Sequence, residues 1–435
     1  MATDDRDTRA AVLRKAAWRL LPFMGLLYFV SFLDRVNVSF AALTMNADIG
    51  LSSAAFGLGA GIFFIGYLLF EVPSNLILQK VGARRWIARI MISWGLLSAA
   101  MALVNGPVSF YVLRFLLGVA EAGFFPGMIL YLTYWFPASM RARVMGGFLV
   151  AVPLSSVIGA PLSTALLETS LFGLKGWQTM FLLEGLPAML LGVAVLFVLP
   201  DRPAVARWLS PVERVTIEGM LAEEAAHTDH VTGLRQGLMS GRVWLLGLVY
   251  FGLVLGVYGL GFWAPQIVKA AGGLDNRQTG LLTAVPYLLA AVAMVLWARR
   301  SDRTGERVWH VALPAFAGAA GFLASAFVAD PWLGLAALSL GAVGVYAAIS
   351  VFWTVPTAML GGAAAAGGIA LINSIGNAGG YLGPYAVGLL KEHTGGYAAG
   401  MVLLAVAVAA AGLLTPIANA VRSAPAARHP SLLES

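Results

Sequence analysis

Long apolar runs separated by short polar segments follow one another along nearly the whole chain. Twelve of these runs are long enough to cross a hydrocarbon core of about 30 Å as helices. They far exceed the roughly 9 to 11 residues of a membrane barrel strand and show no polar alternation. The pattern therefore predicts an all-α membrane protein with twelve transmembrane helices. The predicted spans are residues 19–42, 54–79, 86–104, 107–136, 143–167, 177–200, 243–268, 278–298, 309–329, 332–356, 366–390 and 396–420.

Composition agrees with this fold class. Hydrophobic residues make up 59% of the chain and charged residues 11%, with a mean hydropathy of +0.82, and these values exclude an ordinary soluble domain. Cysteine is absent, so disulfides and cysteine metal sites are excluded. The chain carries no P-loop and no paired metal-ligand motif in or beside its spans. We therefore expect no cofactor, and energy must come from an ion gradient or from the substrate's own gradient.

The longest polar stretch, residues 201–242, divides the twelve spans into six and six. A weak repeat supports this division, because the basic turn at 79–84 (QKVGAR) follows the second span and that at 302–307 (DRTGER) follows the eighth. Basic, glycine-containing cytoplasmic loops are common in any case, but the matched position favours a repeat. We predict an N-terminal six-helix bundle (1–200), a central cytoplasmic loop, and a C-terminal six-helix bundle with a cytoplasmic tail (243–435).

Orientation follows from the lysine and arginine residues of the loops. Of the 28 in the chain, 22 lie in alternate segments on one side and only four on the other. Both termini are therefore predicted to be cytoplasmic. The net charge of +7 is dispersed over six segments, so it indicates topology and lipid contact rather than a nucleic-acid partner.

Four charged residues stand out inside two of the predicted spans. Asp34 and Arg35 are adjacent in the first span, and Arg114 and Glu121 lie seven residues apart, on one helix face, in the fourth. A charge near the bilayer centre costs roughly 2.5 to 3.5 kcal/mol on insertion scales, so such residues usually serve a function. Helix geometry places the two groups at similar depth, which predicts one water-accessible constellation. The alternative is two static ion pairs, although buried pairs stabilise poorly compared with apolar packing.

The charge balance of this constellation predicts proton coupling. With both acids ionised the four charges cancel, whereas protonation of Asp34 and Glu121 leaves two arginines free to bind an anion. We expect a proton-coupled symporter that takes up a small organic anion by alternating access. The alternatives within this class are a uniporter and an anion exchanger. A membrane enzyme or sensor is disfavoured because no catalytic motif and no sizeable soluble output domain occur.

Four stretches carry a resemblance to a known family. They are residues 32–37 (FLDRVN), 71–76 (EVPSNL), 82–86 (GARRW) and, most specifically, 114–127 (RFLLGVAEAGFFPG). Over nearly its whole length the chain resembles the major facilitator superfamily and, within it, the anion:cation symporters that carry organic acids. It looks most like bacterial tartrate-type and aromatic-acid permeases, with sugar-acid carriers more distant. One departure is Gln79, where the superfamily's first basic turn has an acid.

The resemblance implies a major facilitator fold in the bacterial cytoplasmic (inner) membrane and a small organic anion as substrate. It assigns Asp34 and Glu121 to proton coupling, ties Arg35 and Arg114 to the substrate or to those acids, and points to Tyr67 as a substrate contact. We expect a monomer whose partners are the lipid bilayer and the anion, with protons as the coupling ion. Phe32, where several sugar-acid carriers have tyrosine, favours tartrate-like or aromatic acids.

The C-terminal half has no ionisable residue well inside a predicted span, so we expect its contribution to the site to be neutral. Asn373 and Asn377 lie one turn apart on span eleven, and Tyr346, Ser350 and Trp353 share a face of span ten. The resemblance favours Asn373 and Ser350 in particular. The alternative for each is a hydrogen bond between helices without a role in substrate binding.

Gating is predicted at the loop ends of the spans. Glu71, beside Pro73, is interpreted as a gate or as a salt bridge to the basic turn rather than as a proton carrier. Asp302, Arg303 and Arg307 of the second turn are expected to close the cytoplasmic side, unless they serve only folding or insertion. Glu184, in the sixth span, is interpreted as structural.

Overall fold

The structure, a computed structural model, describes residues 2–226, 240–270, 272–359 and 362–421. Within these ranges the chain is helical, without a strand. The first half contains α1 (Ala2–Ile49), α2 (Ser53–Val81), α3 (Ala83–Ala100), α4 (Pro107–Glu121), α5 (Phe124–Thr133), α6 (Ala138–Leu167) and α7 (Gly176–Val198). The described part of the central segment contains a short 3-10 helix (Pro203–Val205) and α8 (Pro211–Ala226). The second half contains α9 (Gly241–Ala270), α10 (Asn276–Thr304), α11 (Val308–Phe327), α12 (Pro331–Phe352), α13 (Thr354–Met359), α14 (Gly362–Thr394) and α15 (Ala398–Ala420).

These helices confirm the predicted fold class. Eleven helical segments of the described residues are long and apolar enough to cross a membrane, and α14 occupies the position of one more predicted span. Two spans are broken, because α4 gives way to α5 and α12 to α13. The first break lies at Gly123, whose φ of +83° is a left-handed conformation that favours glycine. A Cβ at Gly123 would also lie 2.4 Å from Ser74 Oγ, so the site has no room for a side chain.

The first helix begins well before the predicted span at residue 19. Its polar N-terminal turns pack against α8, where Arg9 pairs with Glu223 at 2.9 Å and Lys15 with Glu213 at 2.8 Å. The hydrogen bonds from Lys15 hold the pKa of Glu213 below its usual range. Residues 227–239 of the predicted central loop lie outside the described residues. We call the side of the molecule that carries α8 the loop side, and the opposite side the far side.

The two halves meet along three helix pairs, α1 with α9, α2 with α14, and α6 with α10. Their closest approach is toward the far side: a Cβ at Gly57 would lie 2.5 Å from the carbonyl oxygen of Pro384, and one at Gly280 would lie 2.7 Å from that of Ala160. Small residues allow such close contact between membrane helices. Glu392 also accepts a hydrogen bond of 2.7 Å from the backbone N–H of Ala54 there. In this conformation the halves are therefore joined on the far side.

Candidate functional site

An ion pair at the interface between the halves forms the centre of the candidate site. Arg35, on α1, donates through Nη2 to Oε1 of Glu121, the last residue of α4. Its Nη1 donates to the hydroxyl of Tyr258, on α9 of the second half, at 3.0 Å. The Glu121 side chain is 2% exposed and that of Arg35 is 11% exposed. One guanidinium thus connects a buried carboxylate of the first half to a neutral hydroxyl of the second.

Aromatic rings surround the Arg35 guanidinium. Its Cζ lies 4.8 Å from the ring centroid of Phe32, 5.2 Å from that of Phe63 and 5.5 Å from that of Tyr67. Each ring face can attract a cation by about 0.5 to 2 kcal/mol, with the larger value for a desolvated site. Tyr67 therefore lies beside Arg35, and its role as a substrate contact stays a prediction. The rings stabilise the positive charge while leaving hydrogen-bond donors available to a ligand.

Arg114 lies beside this group but has different partners. It is buried, and donates to two backbone carbonyls of α2, those of Gly59 at 3.3 Å and Ala60 at 3.1 Å. Its Cζ lies 5.0 Å from the Phe63 ring and 5.7 Å from that of Phe262. In the described part of the chain no carboxylate forms an ion pair with Arg114, so the alternative of two static ion pairs, which would include Arg114 with Glu121, is not found in this conformation. Sharing a helix face did not decide the pairing, because the long arginine side chain reaches the backbone of α2 instead.

Asp34 points away from this group, into the first half. Its Oδ2 accepts a hydrogen bond from Trp94 Nε1 at 2.6 Å, and its Oδ1 accepts from Ser98 Oγ at 3.2 Å and from Asn37 Nδ2 at 3.4 Å. Successive helical residues point about 100° apart, so Asp34 and Arg35 face different neighbours. The predicted four-charge constellation is therefore divided, with Arg35, Arg114 and Glu121 on one side of α1 and Asp34 on the other.

Glu71 contacts the second half rather than the basic turn. Asn373, on α14, donates to its Oε1 at 3.4 Å. Among the described residues Glu71 forms no salt bridge, so the alternative of an anchor for the basic turn is wrong in this conformation. Because Glu71 lies on α2 and Asn373 on α14, this contact would change when the two halves move.

The other predicted residues of the second half have local partners. Ser350 Oγ donates to the carbonyl of Ala347 in its own helix at 2.7 Å, and the ring of Trp353 packs 4.8 Å from that of Tyr250. Asn377 is half-buried on α14, one turn from Asn373. None of the three contacts Arg35 or Arg114 through a hydrogen bond among the described residues. Their roles in binding stay predictions.

The two basic turns differ in their partners. In the second turn, Arg307 Nη1 lies 2.7 Å from Asp302 Oδ1, so the pair closes the turn itself rather than joining the two halves. Arg303 is exposed, without an ion pair among the described residues. In the first turn the backbone N–H of Arg84 donates to Asp201, which follows α7, at 2.8 Å. Asp201 thus supplies a carboxylate to the turn that has Gln79 in place of an acid.

Several residues of the site had not been predicted. Tyr258 and Phe262 lie one turn apart on α9, and Trp94 and Ser98 lie one turn apart on α3. The available signal was a polar aromatic or hydroxyl residue within an apolar run, repeated at helical spacing. Such spacing identifies a helix face but does not show which neighbouring helix that face contacts.

Comparison with known proteins gives the family. The model of the Major Facilitator Superfamily matches residues 24–384. A protein of Agrobacterium vitis named "Putative tartrate transporter" is 54% identical over 413 residues, which cover 94% of this chain and 92% of that protein. A "Quinolone resistance transporter" of Acinetobacter baumannii is 44% identical over 418 residues, covering 95% and 96%.

A solved structure gives the same fold. A bacterial homologue of the human lysosomal transporter Spinster, in an inward-facing and occupied conformation, superimposes with a TM-score of 0.75, at 17% identity, over 92% of this chain and 96% of that one. At this identity the likeness concerns the fold alone. The family model matches residues 24–384, and both relatives align with this chain over most of its length and of their own. The chain therefore belongs to the major facilitator superfamily and is a multi-pass membrane transporter, not an enzyme.

Proposed function

We propose that the protein takes up a small organic anion, such as tartrate, together with protons by alternating access. The observation that carries this proposal is the Arg35 guanidinium held between Glu121 of the first half and Tyr258 of the second. The interactions of this one guanidinium then depend both on the protonation of Glu121 and on the relative position of the two halves.

The coupling mechanism follows from the charges around Arg35. While Glu121 is ionised it neutralises Arg35, and a bound anion would face a buried carboxylate at close range. Protonation of Glu121 removes that negative charge and frees donor groups of Arg35, with Arg114 adding a second positive charge beside the same Phe63 ring. Proton and anion therefore favour each other's binding, and such reciprocity is required of any coupled pair of ligands.

Asp34 is proposed as a second proton-binding residue, acting indirectly. It forms no ion pair among the described residues, so its protonation would not release a guanidinium. Instead it would weaken the hydrogen bonds from Trp94 and Ser98 that join α1 to α3. Because Asp34 precedes Arg35 on α1, a shift of that helix would move the guanidinium relative to Glu121.

The substrate class is supported by two features. Guanidinium groups bind carboxylates through paired hydrogen bonds, and two arginines close to one ring suit an anion with more than one carboxylate. Tartrate, which carries two carboxylates, appears in the name of one relative. The aromatic rings of Phe32, Phe63 and Tyr67 make an aromatic carboxylate the second candidate, and a relative is named for quinolone resistance.

The transport direction rests on the predicted topology. If the loop side is cytoplasmic, the contacts between halves on the far side correspond to an inward-facing state. Opening the far side would require α2 to separate from α14 near Gly57 and Pro384 and α6 from α10 near Gly280. Glu71 and Asn373 would then belong to the contacts that change between the two states.

Uptake of radiolabelled tartrate into proteoliposomes tests this proposal. We expect accumulation above equilibrium when the outside is acidic, and its loss when a protonophore collapses the gradient. Accumulation that ignores the protonophore but requires internal tartrate would identify an exchanger. Equilibration without accumulation under any gradient would identify a uniporter. Repeating the assay with an aromatic carboxylate as competitor separates the two substrate classes.

A further inference from the structure

Besides Asp34 and Glu121, a third buried carboxyl lies in the first half, away from Arg35. Glu184, on α7, is 2% exposed. Its Oε1 accepts a hydrogen bond of 2.6 Å from Ser163 Oγ, on α6, while its Oε2 is buried without a hydrogen-bond partner. Sequence analysis assigned this residue only a structural role.

The backbone next to Glu184 is tightly packed. A Cβ at Gly95, on α3, would lie 2.8 Å from the carbonyl oxygen of Gly185, and one at Gly185 would lie 2.7 Å from that of Gly95. Helices α3 and α7 thus touch through their backbones one residue from Glu184. This contact shields the carboxyl on the α3 side, and the low exposure of Glu184 shows that the remaining sides are covered as well.

Asp34 and Glu184 differ in their hydrogen-bond donors. Asp34 accepts from Trp94, Ser98 and Asn37, and a tryptophan indole can act only as a donor. This set of three donors suits an ionised carboxylate. Glu184 has one donor, Ser163, and an ionised form would leave Oε2 buried and unsatisfied, which is costly.

No positive charge compensates either carboxyl. The hydrogen-bond donors to them, on α1, α3 and α6, are neutral side chains. Arg35 is directed toward Glu121, and among the described residues no lysine, arginine or histidine forms an ion pair with Asp34 or Glu184. Two carboxylates in one site without a cation resist simultaneous ionisation.

The two carboxyls lie against the same stretch of α3. Asp34 accepts a hydrogen bond from Ser98, and a Cβ at Gly185, next to Glu184, would lie 2.9 Å from the backbone nitrogen of Ala99. Asp34 and Glu184 therefore belong to one region of the first half.

We propose that Glu184 is a proton-binding residue, protonated in this conformation, and that Glu184 and Asp34 hold one proton between them. This deepens the proposed function, on which its role in coupling rests. The protonation state itself can be measured without any transport.

Infrared spectroscopy of the purified protein at neutral pH tests this directly, because a protonated carboxyl has a carbonyl band distinct from that of a carboxylate and shifted in D₂O. We expect Glu184→Gln to lose one such band, while Asp34→Asn and Glu121→Gln retain it. Glutamine has nearly the size and shape of the protonated acid, so the variant should fold. A band retained in Glu184→Gln, or lost in Asp34→Asn, would overturn the proposal.

Ser163→Ala provides a second measurement that leaves both carboxyls in place. Removal of the hydroxyl that donates to Glu184 should shift the same band to higher frequency without changing its intensity. An unshifted band would show that it belongs to another carboxyl and would equally overturn the assignment. Since neither result depends on proton-driven uptake, failure of symport in the transport assay would leave this test intact.

Discussion

The two halves of the transporter share an architecture but divide the chemistry of the candidate site. The first half supplies the carboxyl and guanidinium groups buried among its spans, and in the described residues the second half supplies Tyr258, Phe262 and Asn373. The hydrogen bonds of the site that join the two halves, Arg35 to Tyr258 and Asn373 to Glu71, each therefore have one neutral partner. The halves can separate without breaking a buried ion pair, and Arg35 keeps Glu121 when Tyr258 withdraws.

This difference has an energetic consequence. A hydrogen bond makes a net contribution to stability of about 0.5 to 1.5 kcal/mol, or about 1.5 to 3 kcal/mol when one partner is charged. Breaking a buried ion pair by removing one partner destabilises a protein by about 3 to 5 kcal/mol. Alternating access requires two states within a few kcal/mol of each other. Neutral partners from the second half keep the contacts at the site weak enough for that balance, and the charged contacts on the far side, such as Arg277 with Glu168 at 3.6 Å, are exposed.

The largest effect is expected from Arg114→Ala, which removes a charge of the first half. Among the described residues the partners of Arg114 are backbone carbonyls and rings, so its charge is available to an anion. We predict a loss of tartrate affinity of about a hundredfold or more, the upper range for a charged hydrogen bond. Calorimetric titration of the purified variant measures it, with the exposed Arg303→Ala as control. Wild-type affinity would remove Arg114 from the site.

A smaller effect is expected from Tyr258→Phe, which removes the neutral contact from the second half. The lost hydrogen bond to Arg35 should weaken binding or shift the access equilibrium by about threefold to a hundredfold. Counterflow of labelled tartrate measures this, and Tyr287→Phe, buried in the same half, is the matched control. If both variants behave alike, the hydroxyl of Tyr258 does not connect the halves.

The smallest effect is expected from Asp302→Asn. In this conformation its partner Arg307 belongs to the same turn, and an exposed pair contributes about 0 to 1 kcal/mol. Asp302 is expected to hold the loop side shut only in the outward-facing state, so we predict a shift toward the inward-facing state of at most about fivefold. Faster labelling of cysteines introduced on the loop side between the halves would show it. Unchanged labelling with wild-type transport would limit the turn to folding or insertion.

Sequence reasoning predicted the spans because apolar length alone decides which segments enter a bilayer. It also found the charged residues, since each is costly in that environment. It did not predict that Asp34 would turn toward Trp94 or that Arg114 would reach the backbone of α2, because those contacts depend on how neighbouring helices are rotated. The break at Gly123 was missed for a similar reason, since a glycine in an apolar run fits both an unbroken helix and a left-handed turn.

The role of Glu121 tests the central claim most directly. Glu121→Gln imitates the protonated acid beside Arg35, so it should still exchange labelled tartrate across proteoliposome membranes but should not accumulate it on a proton gradient. Glu218→Gln, which changes an exposed carboxyl on α8 outside the site, is the control expected to accumulate tartrate. Accumulation by Glu121→Gln equal to that of the wild type would contradict the mechanism.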